Sequence, residues 1–263
     1  MSIFTRLTRP ALTAAFAASL ALPAVAQQIG TVASSEPTLR GTPPGAATRT
    51  LALGSGLVAD ETVQSSATGR GQLLFADQST LSLAPNTTIV LDRFVFDPIQ
   101  GAGEMGLQLT EGALRFIGGA LSREEPATIV TPSATIGVRG SSVLVFASGG
   151  TTYAVFIAGE RLCLATASGG TSCTSRQGGV LGTEGYLGEV APEFLAFLLQ
   201  LIDGAPRGGS GSPLGSGVND PNPSDRGPVS TGGEEFDLEI FDDDFDIDVI
   251  MEFFEGGGYF LEG

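Results

Sequence analysis

From Gly71 onward, apolar and polar positions alternate in short runs separated by Gly, Pro, Asn and Asp. Gln72 to Phe75 leads into an Ala76-Asp77-Gln78-Ser79 turn, and Thr80-Leu81-Ser82-Leu83 then alternates as a half-buried strand should. Ala84-Pro85-Asn86-Thr87 reads as a second turn, because Pro fixes φ and Asn tolerates left-handed geometry. Ile89 and Leu91 open the next strand, which Phe94 and Phe96 extend as far as Asp97-Pro98. Met105 to Thr110 places Leu107 and Leu109 on one face, Glu111-Gly112 reads as a turn, and Ala113 to Ile117 as the following strand. The run ATIVTPSATIGVRGSSVLVF, Ala127 to Phe146, is dominated by β-branched residues and punctuated by Pro132, Gly137 and Gly140, which predicts short strands joined by a tight bend. Tyr153 to Ile157 and Leu162 to Leu164 continue the pattern, and Arg49 to Val58 supplies a first strand. Turn signals about every 8–12 residues predict a mainly β domain over residues 49–188. A single all-β sandwich or roll and a short flattened β-solenoid both fit that spacing.

The flanks read differently. Residues 27–48 are rich in Thr, Ser, Gly and Pro and predict a flexible lead or a loosely held strand. Ala191 to Leu201, within residues 189–202, is the one helical signal, with Pro192 near its start and Gly204 beyond its end. It is expected to cap the open end of the β core. Residues 203–233 form a Gly/Ser/Pro linker too poor in apolar groups to offset chain entropy, so disorder is expected. The tail, 234–263, alternates acid with Phe, Leu, Ile and Val, as in Phe245-Asp246-Ile247-Asp248-Val249-Ile250. Strict alternation puts carboxylates on one face and apolar groups on the other. The expected behaviour is an acidic tail, disordered alone, that docks on a partner by adding a strand to an exposed sheet edge.

At the other end, Arg6 and Arg9 precede an apolar stretch from Ala11 to Leu22, followed by Pro23-Ala24-Val25-Ala26. This is the layout of a secretory signal peptide over residues 1–26, cleaved after Ala26. The apolar run falls short of the ~20 residues that a membrane span needs, and no later segment is long and apolar enough to span one. The mature chain is therefore expected outside the cytoplasm, periplasmic or secreted to the cell surface.

Charge sharpens the division. All 13 basic residues are Arg, and His and Trp are absent. From Gln27 on, 29 acidic residues against 11 Arg leave a net charge of −18, of which −13 falls in residues 203–263. Nucleic acid is repelled by such a surface. The lack of His excludes metals held through imidazole and a Ser-His-Asp hydrolase. Cys163 and Cys173 are the only cysteines and flank a Gly169-Gly170 turn, which in an exported chain reads as a disulfide across a hairpin.

Several of these runs together resemble the FecR-domain family. Thr131-Pro132 and Gly137-Val138-Arg139-Gly140 match its core motif, with Ser141 where the family usually has Thr. Leu83-Ala84-Pro85 and Leu109 through Phe116 match as well, Ala158-Gly159-Glu160 matches more loosely, and the likeness runs from about Val63 to Val180. Asp77-Gln78-Ser79 departs from the family's Asp-Gly-Ser, which predicts an altered turn. The resemblance implies an exported bacterial β domain used for sensing or binding. Best-known members join it to an anti-sigma segment and a membrane helix, and this chain resembles the binding domain alone.

Candidate chemistry follows from both lines. The family motif suggests Thr131, Pro132, Gly137, Val138, Arg139, Gly140 and Ser141 as a binding surface. The plainer account is an Arg139 that pairs with a carboxylate or braces turn carbonyls, beside glycines needed for backbone geometry. Asp242, Asp243, Asp244, Asp246 and Asp248 could hold calcium, a hard cation that takes 6–8 oxygens, but they lack the Gly and terminal Glu of an EF-hand loop. No carboxylate pair stands out for glycoside hydrolysis. The expectation is a non-enzymatic domain without a cofactor, calcium being the one candidate, that binds a protein or ligand in the cell envelope, with signal sensing as one use. The alternative is a structural, cell-surface or secreted protein whose tail binds calcium or drives self-association.

Overall fold

The computed structural model describes residues 27–36, 39–204, 245–256 and 260. The expected signal peptide, the linker over 205–233 and Asp242 to Asp244 lie outside the described residues. Strands follow in chain order as β1 (Gln28–Glu36), β2 (Leu39–Thr42), β3 (Arg49–Leu51), β4 (Gly56–Val58), β5 (Thr62–Ser65), β6 (Arg70–Phe75), β7 (Thr80–Leu83), β8 (Thr88–Asp97), β9 (Ala102–Ile117), β10 (Ala127–Val130), β11 (Ala134–Arg139), β12 (Ser142–Ser148), β13 (Thr151–Ala158), β14 (Arg161–Thr166), β15 (Thr171–Thr174), β16 (Gly179–Gly182) and β17 (Gly185–Glu189). Helices are α1 (Leu121–Glu124), α2 (Pro192–Asp203) and α3 (Ile247–Gly256).

These strands form one continuous mainly antiparallel sheet folded into two layers. Layer A runs β4-β1-β6-β7-β9-β12-β13-β16-β17. Layer B runs β3-β2-β5-β8-β9-β10-β11-β14-β15, with β9–β10 its one parallel pairing. Antiparallel hairpins in both layers make this a sandwich and not a solenoid, whose coils would pair in parallel. β9 belongs to both layers. It pairs with β8 and β10 up to Glu111 and with β7 and β12 from Gly112 on.

Glu111-Gly112 is therefore no turn but the point where one 16-residue strand bends from layer to layer. Gly112 has φ 104°, and a Cβ there would meet the Thr87 Cα at 2.5 Å. Thr87 Oγ1 both accepts from Ala113 N–H at 3.1 Å and donates to its carbonyl at 3.0 Å, which closes the bend without a chain reversal.

The main core lies between the layers and joins Leu73, Leu81 and Phe116 of layer A to Ile89, Leu107 and Ile136 of layer B, all buried. A second cluster lies on the outer face of layer A, under α2 and α3. Layer A is thus apolar on both faces. Along β12, Val143, Val145 and Ala147 point into the main core and Leu144 and Phe146 into the second cluster. That is why Ser142–Ser148 reads as a continuous apolar run while Ala134–Arg139, in layer B, alternates.

Four further expectations are corrected. The lead over 27–48 contains β1 and β2, and Ile29, Val32 and Leu39 are core residues. Arg49 to Val58 is two strands, β3 and β4, separated by an exposed Leu53. α2 lies across layer A through Phe194, Leu195, Leu198 and Ile202 and does not cap an open end, since the apolar outer residues Leu144 and Phe146 of β12 and Tyr153 and Val155 of β13 must be covered. In the tail, residues 247–256 are helical, because Ile247, Ile250, Met251 and Phe254 recur at i, i+3, i+4 and i+7.

Candidate functional site

Two of the motif segments, Asp77-Gln78-Ser79 and Gly140-Ser141, meet at a junction of turns at one end of the sandwich. Asp77, almost fully buried, accepts from Ser79 N–H at 3.0 Å, from the Ser79 hydroxyl at 2.7 Å and from Leu121 N–H at 3.3 Å. Its backbone carbonyl accepts from Ala120 N–H at 2.9 Å, and Ser79 Oγ accepts from Gly119 N–H at 2.9 Å. Gln78 takes the left-handed conformation, φ 69°, so the turn keeps the shape that a Gly would favour. The expected alteration takes the form of a non-Gly residue held in a left-handed conformation.

The same loop continues to the second motif. Gly118 N–H donates to the Ser141 carbonyl at 3.0 Å, and Gly140 N–H to the Ser122 carbonyl at 2.7 Å. Ser141 Oγ donates to the Arg139 carbonyl at 2.6 Å and accepts from Arg161 N–H at 3.1 Å. Gly140 sits at φ 52°, a conformation costly for a residue with a Cβ. Four segments, around Asp77, Gly118, Gly140 and Arg161, are thereby laced together by backbone amides and two buried hydroxyls.

The seven residues singled out in the sequence divide accordingly. Val138 is fully buried in the main core. Thr131 is buried and closes its own turn, accepting from Ala134 N–H at 3.0 Å and meeting Thr152 Oγ1 at 2.8 Å. Ser141 and Gly140 belong to the junction, and Pro132 is exposed at the opposite end of β11. Only Gly137 and Arg139 face outward from layer B, where they line an open groove of about 520 Å³ with Pro126, Glu160, Arg161 and Cys163. Arg139 Nε lies 3.3 Å from the Glu160 carboxylate, both half-exposed, so the plainer account of this Arg describes what it does here. Glu160 was readable only as part of a turn, because its partner is set by the pairing of β11 with β14.

Cys163 and Cys173 are directly opposite on β14 and β15 and form a disulfide, Cα–Cα 4.0 Å. Asp246 and Asp248 stand at the start of α3. Asp246 Oδ1 accepts from Asp248 N–H at 3.0 Å, and Asp248 Oδ1 from the Ser148 hydroxyl at 2.7 Å. Among the described residues no three His, Cys, Asp or Glu side chains are grouped to hold a metal ion.

The two outer faces differ in kind. Layer A is roofed by α2 and α3. Phe254 of α3 meets Phe146 at 5.5 Å, Tyr153 at 4.9 Å and Phe194 at 6.2 Å between ring centres. Burial, with the nearby Glu255 and Glu184 carboxylates, holds the Tyr153 phenol above its ordinary value of 10.0. Layer B has no helix over it among the described residues. A cross-strand row of short or uncharged side chains, Thr62, Val90, Gln108, Val130, Thr135 and Ala165, crosses it.

Residues 61–160 match the sequence profile of the family described as FecR protein. Over these residues the chain is similar to the FecR family. The match takes in β5 to β13 and most of the turn junction, while β1 to β4, the disulfide hairpin and helices α2 and α3 lie outside the matched FecR residues. No curated protein matches the chain. Two crystal structures of a candidate anti-sigma factor from Parabacteroides distasonis are similar at TM-score 0.37, with 13% and 15% identity over 46% of this chain and 53% of that one. The chain thus spans about half the length of those proteins. Among the described residues no helix is long and apolar enough to cross a membrane.

Proposed function

We propose that this chain is an exported, non-enzymatic FecR-like module that binds a protein of the cell envelope through the outer face of layer B. The observation that carries the reading is the FecR match over residues 61–160. Its location on layer B is supported by the contrast between the faces. α2 and α3 bury the outer side of layer A, whereas layer B presents Thr135, Gly137 and Arg139 of the motif strand to solvent. Export is supported by the charged, apolar and Ala-x-Ala sequence of residues 1–26 and by the Cys163–Cys173 bridge, a bond typical of oxidising compartments.

In-cell photo-crosslinking tests it, with a photoreactive amino acid at Thr135 and, as control, at Ser148 on the helix-covered side. The expected result is one discrete heterologous adduct from position 135, on a chain recovered outside the cytoplasm with Gln27 as its first residue. An intact N-terminus on a cytoplasmic chain, or an adduct pattern the same at both positions, would overturn the reading.

A further inference from the structure

Where β2, β5, β8 and the bend of β9 meet the start of α3, the surface sinks into an open recess of about 860 Å³. Its rim is fastened. Ser65 Oγ donates to the Ala84 carbonyl at 2.6 Å and accepts from Thr87 N–H at 2.8 Å, and Asn86 N–H donates to the Ser66 carbonyl at 3.0 Å. Asn86 takes a left-handed conformation, φ 53°, in the turn over 84–87. The walls, by contrast, are uncommitted. Arg40, Gln64, Ser66, Asn86, Thr88 and Glu111 line the recess, and none of their side chains hydrogen-bonds or ion-pairs with another described residue. Elsewhere Arg49, Arg93, Arg115, Arg139 and Arg176 each hold a carboxylate. Buried Phe245 and half-buried Ile247 add an apolar patch, and Asp246 and Asp248 complete the recess from the tail side. One oxygen of Asp246 already accepts from Asp248 N–H and one of Asp248 from the Ser148 hydroxyl, so each has a second oxygen to offer.

The donors and acceptors of this recess define a ligand class. The Arg40 guanidinium donates, the carboxylates accept, and the Gln64 and Asn86 amides and the Ser66 and Thr88 hydroxyls do both. Such a set satisfies a molecule that presents donors and acceptors side by side, as vicinal hydroxyls do. Glu111, Asp246 and Asp248 outweigh Arg40, which disfavours phosphates and carboxylates. Arg40 itself disfavours a bare metal ion, and among the described residues no three acidic groups are gathered for one. An apolar patch beside polar walls matches the C–H face of a sugar ring. We propose that this recess binds a neutral saccharide, with tail residues 245–248 as one of its walls. A sugar held there touches sandwich and tail together, so it binds only the docked state and stabilises α3 on layer A. None of the lining residues belongs to β10 or β11, so the site stands whether or not Thr135, Gly137 and Arg139 face a protein partner.

The test is saturation-transfer NMR on the full chain with trisaccharides of glucose, galactose, mannose and N-acetylglucosamine, and with trigalacturonic acid as the charged control. At least one neutral trisaccharide should receive saturation, and the acidic one should not. Hydrogen exchange of the same chain with that sugar bound should slow at the amides of 247–256 and stay unchanged in β15. A chain with Gln64→Ala and Asn86→Ala, two exposed side chains with no hydrogen bond to lose, should keep its circular dichroism and bind at least about tenfold more weakly. Absence of transfer to every neutral sugar overturns the proposal, as does equal binding of the acidic one. Equal affinity in the variant chain, or binding that leaves exchange in α3 unchanged, overturns it as well. The first two measurements use the unmutated protein, so they decide the matter even where the variant is misfolded.

Discussion

Asp77→Ala is the sharpest test of the turn junction. The carboxylate is 1% exposed, and no Arg pairs with it; its partners are Ser79 N–H at 3.0 Å, the Ser79 hydroxyl at 2.7 Å and Leu121 N–H at 3.3 Å. Hydrogen bonds to a charged group contribute about 1.5–3 kcal/mol each, and buried donors left without a partner carry the cost of their lost hydration. Counting the two short bonds and giving the long one little weight puts the gross loss at roughly 3–6 kcal/mol. Relief from burying a carboxylate offsets part of this, so about 3–4 kcal/mol remains. For a domain of this size each kcal/mol lowers the midpoint of thermal unfolding by about 2–4 °C, which gives roughly 10 °C in all. The assay is urea and thermal unfolding followed by circular dichroism, with Ser79→Ala and the double variant completing a cycle. The two losses should be markedly less than additive, since Ser79 Oγ relays between Asp77 and Gly119 N–H. An Asp77→Ala chain that unfolds within ~1 kcal/mol of the original would show that the junction does not hold the fold together.

Other outcomes follow from the same contacts. Replacing both Cys163 and Cys173 by Ser opens a loop with a sequence separation of 10 and should cost about 2–3 kcal/mol in denaturant, while free thiols in the purified unmutated protein would refute the bridge. Truncation after Asp203 removes α3 but no residue of the main core, so β circular dichroism should persist while binding of a hydrophobic dye rises over Phe146, Tyr153 and Phe194; collapse of the β signal would show that the tail is part of the core. The raised Tyr153 pKa, caused first by burial and then by Glu255 and Glu184, implies stability fully present below pH 10.0 and lost as pH climbs through the folded value. Tyr153→Phe should flatten that alkaline slope of unfolding free energy, and an unchanged slope would place the effect elsewhere.

Much of the fold is written in local pattern. Period-2 alternation in Ala134–Arg139 identifies a strand with one buried face, and the Cys163–Cys173 spacing identifies a bridged hairpin, because each depends only on residues a few positions apart. Composition misled where small residues serve packing. The Ser, Thr and Gly of residues 27–42 look like a loose lead, yet β1 pairs with β4 and β6, and a Cβ at Gly30 would meet the Leu74 carbonyl at 2.6 Å. At α3, Phe245 to Ile250 alternates as a strand would, while Ile247, Ile250, Met251 and Phe254 repeat as a helix does. Two periods fit so short a window, and the apolar face of layer A, with room for a helix on it, selects between them.

An acidic, His-free chain with a β-rich middle, a FecR-like motif set and one cystine hairpin is legible from local runs of residues alone. Tertiary structure decided what those motifs do. Asp77, Gly118, Gly140 and Arg161 are tens of residues apart along the chain, and only the pairing of β7, β9, β12 and β14 around them brings their amides and hydroxyls within 3.3 Å. It likewise decided that Arg139 faces Glu160 and that layer A is covered while layer B is open. Register and layer assignment come from contacts between distant segments, and no local run of residues specifies them.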